Sequence, residues 1–148
     1  IGGFEVAATP LQMAMVAAAV RNDGVVMQPY LVESVRSADL QVLSQTRPSQ
    51  LSLATSSANA AKLRQMMVGV VQSGTGWRAQ VAGVTVGGKT GTANSDNVRT
   101  PYAWFIAWAD NPDVAICVFV QDAASAATAV AGGRVAAPIA KSVIEALR

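Results

Sequence analysis

Two runs of aromatic and β-branched residues, Tyr102 to Ala109 and Val114 to Gln121, are joined by Asp110-Asn111-Pro112-Asp113. Such runs fit a pleated, half-buried surface, and an Asp/Asn/Pro tetrad between them is turn chemistry. The pair reads as an antiparallel hairpin. Just upstream, Val84-Thr85-Val86 leads an extended segment into Gly87-Gly88-Lys89-Thr90-Gly91-Thr92-Ala93, a third consecutive strand. Helical patterns flank this block. Thr9-Pro10-Leu11-Gln12 combines a cap, a proline suited to the first helical position and a capping-box glutamine. That helix should run through Met13, Val16 and Val20 and stop at Asn22-Asp23-Gly24. A second is expected from about Ala58 to Gln72, with Leu63, Met66, Met67, Val70 and Val71 as its apolar core stripe. A polar, alanine-rich loop leads to Gly132-Gly133. A closing helix over Ala136 to Leu147 should face Ile139, Val143, Ile144 and Leu147 inward. Leu31 to Val35 and Leu40 to Leu43 read as a peripheral hairpin around Ser37-Ala38-Asp39. Consecutive strands between terminal helices point to an α+β fold, an antiparallel sheet flanked by helices.

Composition narrows the chemistry. The 148 residues fit one domain, and 51% hydrophobic content supplies a core. A net charge of +2 lacks the basic footprint of a nucleic-acid binder. With no histidine, Ser-His-Asp and Cys-His catalysis are excluded and the commonest metal ligand is missing. Neither a cofactor nor a metal is implied. Cys117, the single cysteine, lies in an apolar run and reads as a buried small hydrophobe. No apolar stretch approaches the roughly 18 residues of a membrane span.

The chemistry concentrates at Lys89-Thr90-Gly91-Thr92-Ala93. Gly83 to Thr90 also fits the phosphate-loop pattern G-x-x-x-x-G-K-T. A phosphate loop needs a strand before its first glycine and a helix after its threonine. Here the β-branched residues lie inside the supposed loop and the residues after it start no helix, so the match is coincidental. On a strand, Lys89 and Gly91 share one face, Thr90 and Thr92 the other, unless twist or a bulge turns them. Glycines 87, 88 and 91 would leave the strand narrow enough for another chain to pair with it. Lys89 supplies a point charge for a carboxylate. The pentapeptide alone fits a solvated lysine in a glycine-rich turn equally well.

Lys89-Thr90-Gly91 matches the third signature of the penicillin-binding proteins and serine β-lactamases. Ala8 to Ala14, Gly69 to Gly76, Gly88 to Ala93, Ala103 to Ala107, and Gly132-Gly133 with Ala136-Ala137-Pro138 together resemble class B penicillin-binding proteins in order and spacing. The resemblance covers nearly the whole chain. It implies a D,D-transpeptidase domain that cross-links peptidoglycan stem peptides through an acyl-enzyme and is inhibited by β-lactams. Such a domain lies in the bacterial cell envelope, outside the cytoplasmic membrane, with cell-wall synthesis proteins as possible partners. In that family the serine of S-x-x-K attacks the D-Ala-D-Ala carbonyl with its lysine as base, and S-x-N lines the opposite wall. Lys89, Thr90 and Gly91 would then be catalytic. The hydroxyls of Thr90 and Thr92 would hold substrate or β-lactam carboxylate, and the Thr92 backbone N–H would be an oxyanion-hole donor.

The chain departs from the pattern in one decisive respect: it has no S-x-x-K. The residues three before Lys62, Lys89 and Lys141 are Asn59, Val86 and Pro138. Ser57-Ala58-Asn59 matches S-x-N but comes after the Thr9-Pro10 helix instead of before it, so Ser56 or Ser57 reads as a helix cap. Residues 1–148 are thus expected to be the C-terminal portion of one transpeptidase domain. They would give three strands and the last helix to a five-stranded sheet and one helix to an all-helical subdomain, with the nucleophile-bearing half upstream. On that expectation the chain alone is inactive. A β-lactam-sensing receptor domain and a non-catalytic peptide-binding scaffold are the alternatives. Ala107 replaces a usual glycine, and Trp77 replaces a smaller residue, with packing and the lining of a groove both open for it.

Overall fold

In a computed structural model, the structure describes residues 6–93, 102–121 and 132–148. Helix α1 (Pro10–Arg21) begins as its sequence dictates. Gln12 N–H donates to Thr9 Oγ1 while Thr9 N–H donates to Gln12 Oε1, and Asn22 caps the other end. Strand β1 (Val25–Met27) follows and pairs antiparallel with β4 (Gln50–Leu53). Between them, β2 (Ser34–Arg36) and β3 (Val42–Gln45) form the peripheral hairpin, shifted from the expected bounds. Leu31 stays outside the ladder, and Leu40 takes a left-handed φ of 66° in the turn.

Helix α2 (Ser57–Gln72) is capped by Ser56, whose hydroxyl accepts from Asn59 N–H. Its buried face differs from the expected stripe. Ala60, Met67 and Val71 are buried, whereas Met66 is 60% exposed and Leu63 is also exposed. The half-buried Arg64 lies on the inner side, where it donates to Val20 O and Arg21 O and pairs with Asp23 at 2.8 Å. The helix rotates so that this charge ties α2 to the end of α1.

The central sheet has the order β5–β6–β7, with β5 (Val86–Ala93), β6 (Tyr102–Asp110) and β7 (Asp113–Val120) antiparallel throughout. Its register runs without a bulge, from Val86↔Ala109 to Ala93↔Tyr102 and from Ala103↔Val120 to Asp110↔Asp113. One face carries Ala103, Phe105, Ala107 and Ala109 onto α3 (Ala137–Ala146), and the other sets Trp108 against Val20 and Met67. A π-helical turn, Gly132–Ala136, opens α3. Here too the inner face differs from expectation, except at Ile144. Ala137, Ala140 and Ile144 are buried, while Ile139, Val143 and Leu147 are exposed. Small side chains let α3 sit close to the sheet, so alanines hold the interface that larger residues would have pushed apart. The loop over 122–131 lies outside the described residues.

Candidate active-site wall

β5 has a strand partner on one side only among the described residues, so its far edge is the one surface of the sheet where the Lys89 segment can meet a guest. The expected alternation holds. Lys89 and Gly91 lie opposite Ile106 and Trp104 on one face, and Thr90 and Thr92 lie opposite Phe105 and Ala103 on the other. Lys89 and Thr92 are exposed, and Lys89 Nζ donates to Thr90 O at 2.7 Å. Thr90 is only 8% exposed. Its hydroxyl already has a partner: Thr90 Oγ1 lies 2.7 Å from Thr75 Oγ1 in the turn after α2.

The glycines serve a purpose other than the expected one. A Cβ at Gly87 would stand 2.4 Å from the Trp108 indole, and one at Gly88 would stand 2.4 Å from Phe105 Cζ. Aromatic rings of the neighbouring strand occupy the space these residues vacate, so the glycines make room for the core and not for a guest chain. Gly132 and Gly133 then seat the π-helical turn over the sheet. A Cβ at Gly132 would meet Trp104 O at 2.4 Å and Gly91 O at 2.5 Å, and one at Gly133 would meet Thr75 O at 2.3 Å. Thr75, Thr90, Gly91 and Gly133 are locked into one block behind the exposed edge.

Other sequence motifs lie elsewhere. Gly83 has a φ of 74° in a turn, and the Lys-Thr pair that would hold phosphates is mid-strand, so no phosphate loop forms. Ser57-Ala58-Asn59 is the first turn of α2. At 1.5 Å per residue it stands about 22 Å along the helix from the end that leads to Thr75. Cys117 is half-buried on β7, and burial pushes its thiol above the ordinary value, as fits a packing residue. Thr75 escaped the sequence reading. Its only signal was a hydroxyl between two glycines, Gly74 and Gly76, and nothing local says that it reaches Thr90.

Residues 1–145 match the family described as the penicillin binding protein transpeptidase domain. The chain belongs to that family. The peptidoglycan D,D-transpeptidase PbpA of Mycolicibacterium smegmatis is 45% identical over 151 residues, covering 99% of this chain and 30% of that protein. The crystal structure of PBPA from Mycobacterium tuberculosis superposes with a TM-score of 0.89 at 39% identity, over 99% of this chain and 36% of that one. The penicillin G acyl-enzyme complex of the same M. tuberculosis protein gives a TM-score of 0.87 at 42% identity, over 100% of this chain and 34% of that one. The chain thus spans about a third of the length of these relatives. The antiparallel sheet flanked by helices is this family's fold, and the class B resemblance read from the sequence stands.

Proposed function

We propose that this chain forms the Lys89–Thr92 wall of a peptidoglycan D,D-transpeptidase, and that the acylated serine comes from a preceding part of the same domain. The carrying observation is the edge of β5. There an exposed lysine, an exposed threonine and outward backbone groups stand on a strand that the core holds rigidly from behind. Thr90 O takes the Lys89 ammonium, which supports an outward direction for Thr90's peptide groups. In an antiparallel ladder this direction repeats every second residue, so the Thr92 N–H faces the same way. A carbonyl oxygen placed there would gain a donor as it becomes an oxyanion. In one well-studied protease such a donor is worth about 2.7–4 kcal/mol. An extended stem peptide, or a β-lactam in its place, can add to the edge as a further strand. Lys89 and the Thr92 hydroxyl then attract its carboxylate, while Thr75 fixes the Thr90 hydroxyl at the same wall.

The acyl-enzyme complex of the M. tuberculosis relative supports this reading, because the matched region runs the full length of this chain. On this reading the protein works in the cell envelope, on the outer side of the cytoplasmic membrane, where peptidoglycan and its synthesis partners are. The test uses the full-length protein and fluorescent penicillin. Lys89→Ala should slow acylation by orders of magnitude, and a normal rate in that variant would remove Lys89 from the machinery.

A further inference from the structure

Trp77 is 52% exposed, an unusual position for the largest apolar side chain, and the Lys89 wall makes no use of it. It stands in a short 3₁₀ turn, Trp77–Ala79, between two grooves of about 480 and 600 Å³, and both Trp77 and Arg78 line each groove. Ser73, Thr75 and Arg134 are the further polar members of the first, and Gln80 and Lys141 those of the second. Among the described lining residues there are three cations and no carboxylate. Lys141 is 3.8 Å from Glu145, which offsets its charge and leaves the two arginines to set the potential. The Arg78 guanidinium lies 4.4 Å from the Trp77 ring centroid, a cation–π stack that orients both groups before any ligand arrives.

We propose that this shelf binds an anionic glycan, a saccharide chain bearing carboxylate or phosphate groups. The proposal rests on the reading that the protein works on peptidoglycan. Indole presents a flat apolar face with a polar tip, which suits the C–H face of a sugar ring. Guanidinium matches carboxylate and phosphate in a planar fork that lysine lacks. The second groove also has Val81, Ala82 and Pro138 in its lining, apolar surface for the C–H faces of sugar rings, beside amide and guanidinium groups that suit ring hydroxyls. The shelf is also placed to matter. Thr75 lines the first groove while its hydroxyl touches Thr90, so the groove opens directly behind the β5 wall. A glycan held there would keep its attached peptides at high effective concentration beside the cleft.

The experiment is co-sedimentation of the full-length protein with purified cell-wall sacculi, one batch intact and one stripped of phosphate-bearing polymers by acid. Trp77→Ala and the double variant Arg78→Ala/Arg134→Ala should each lower the bound fraction about five-fold or more, the scale of one lost stacking or charge contact. Trp77→Tyr, which keeps a ring, should retain binding. Penicillin acylation should be unchanged in all three, which also reports that they fold. A loss confined to intact walls assigns the anion to phosphate, and a loss on both batches assigns it to carboxylate; either supports the shelf. Sedimentation like the parent in both Trp77→Ala and the arginine pair overturns it. So does a single-stranded oligonucleotide that displaces the protein more effectively than soluble glycan fragments. Failure of the parent to acylate would count against the transpeptidase reading alone, because wall binding is read independently of it.

Discussion

The contact between Thr75 and Thr90 joins the turn after α2 to the middle of the edge strand through a single pair of hydroxyls 2.7 Å apart. Thr90 is buried, so removing its partner leaves a polar group without water or protein to satisfy it. Such a loss costs about 1–3 kcal/mol. Thr75→Val should therefore destabilise the protein by that amount in urea denaturation and slow penicillin acylation, because the Thr90 backbone also holds Lys89. Thr75→Ser keeps the hydroxyl and should restore most of both. If Thr75→Val acylated at the parental rate, the pair would be structural only. The glycines make a second contrast. Gly69 lies in α2, where an added methyl would find nothing within 4 Å, whereas a methyl at Gly132 meets backbone oxygen at 2.4 Å. Gly69→Ala should raise stability by about 0.5–1 kcal/mol through helix propensity. Gly132→Ala should lower it by about 1–3 kcal/mol through overpacking against atoms that cannot swing aside. Thermal melts of the two variants should move in opposite directions.

At the scale of elements, β5 and β6 are tied at their far end from the Lys89 edge. Asp110 N–H donates to Thr85 O at 3.2 Å, and Thr85 N–H donates to Asp110 Oδ1 at 2.8 Å. The Thr85 hydrogen bond, with a smaller share from Arg21, holds the Asp110 carboxyl below the ordinary carboxylate value. A folded-state value below the unfolded one gives stability that is complete above the unfolded value and is lost as pH falls through the folded one. Asp110→Asn should therefore cost stability at neutral pH and flatten the decline as pH falls into and below the ordinary carboxylate range, read from urea midpoints across an acid series. How far elements were legible follows the same local logic. The start of α1 was readable because Thr9, Pro10 and Gln12 act on their own neighbours. The inner faces of α2 and α3 were legible only in part: Met67, Val71 and Ile144 are buried as expected, but large apolar residues mark a wider stripe while close packing against the sheet selects alanine. The pairing of β1 with β4 was also hidden. Three and four residues carry little periodicity, and a whole hairpin separates them in the chain.

For the molecule as a whole, the order of the β5–β6–β7 sheet was readable from the aromatic runs and the turn at Asp110–Asp113, and flanking helices were expected, but which face each helix covers was not. Which edge was open, and what braced it, depended on contacts between residues far apart. The Lys89 segment was legible as a motif on a strand, but its bracing by Thr75, Gly132 and Gly133 was not. The incomplete set of signatures also sets an expectation for the whole chain. Incubated alone with labelled penicillin, the 148-residue chain should form no covalent adduct, since no S-x-x-K serine is present to be acylated. A labelled band after denaturing electrophoresis would contradict it. A last consequence follows from the rings that fill the hollows at Gly87 and Gly88 and from the backbone that crowds Gly132. A larger residue at any of these positions collides with the rings or backbone behind the strand, so the segment cannot be remodelled from behind without shifting the core. If the edge binds β-lactams as proposed, substitutions that change affinity have room where side chains face solvent, at Lys89, at Thr92 and in the surfaces around the edge, while the glycines behind it have none.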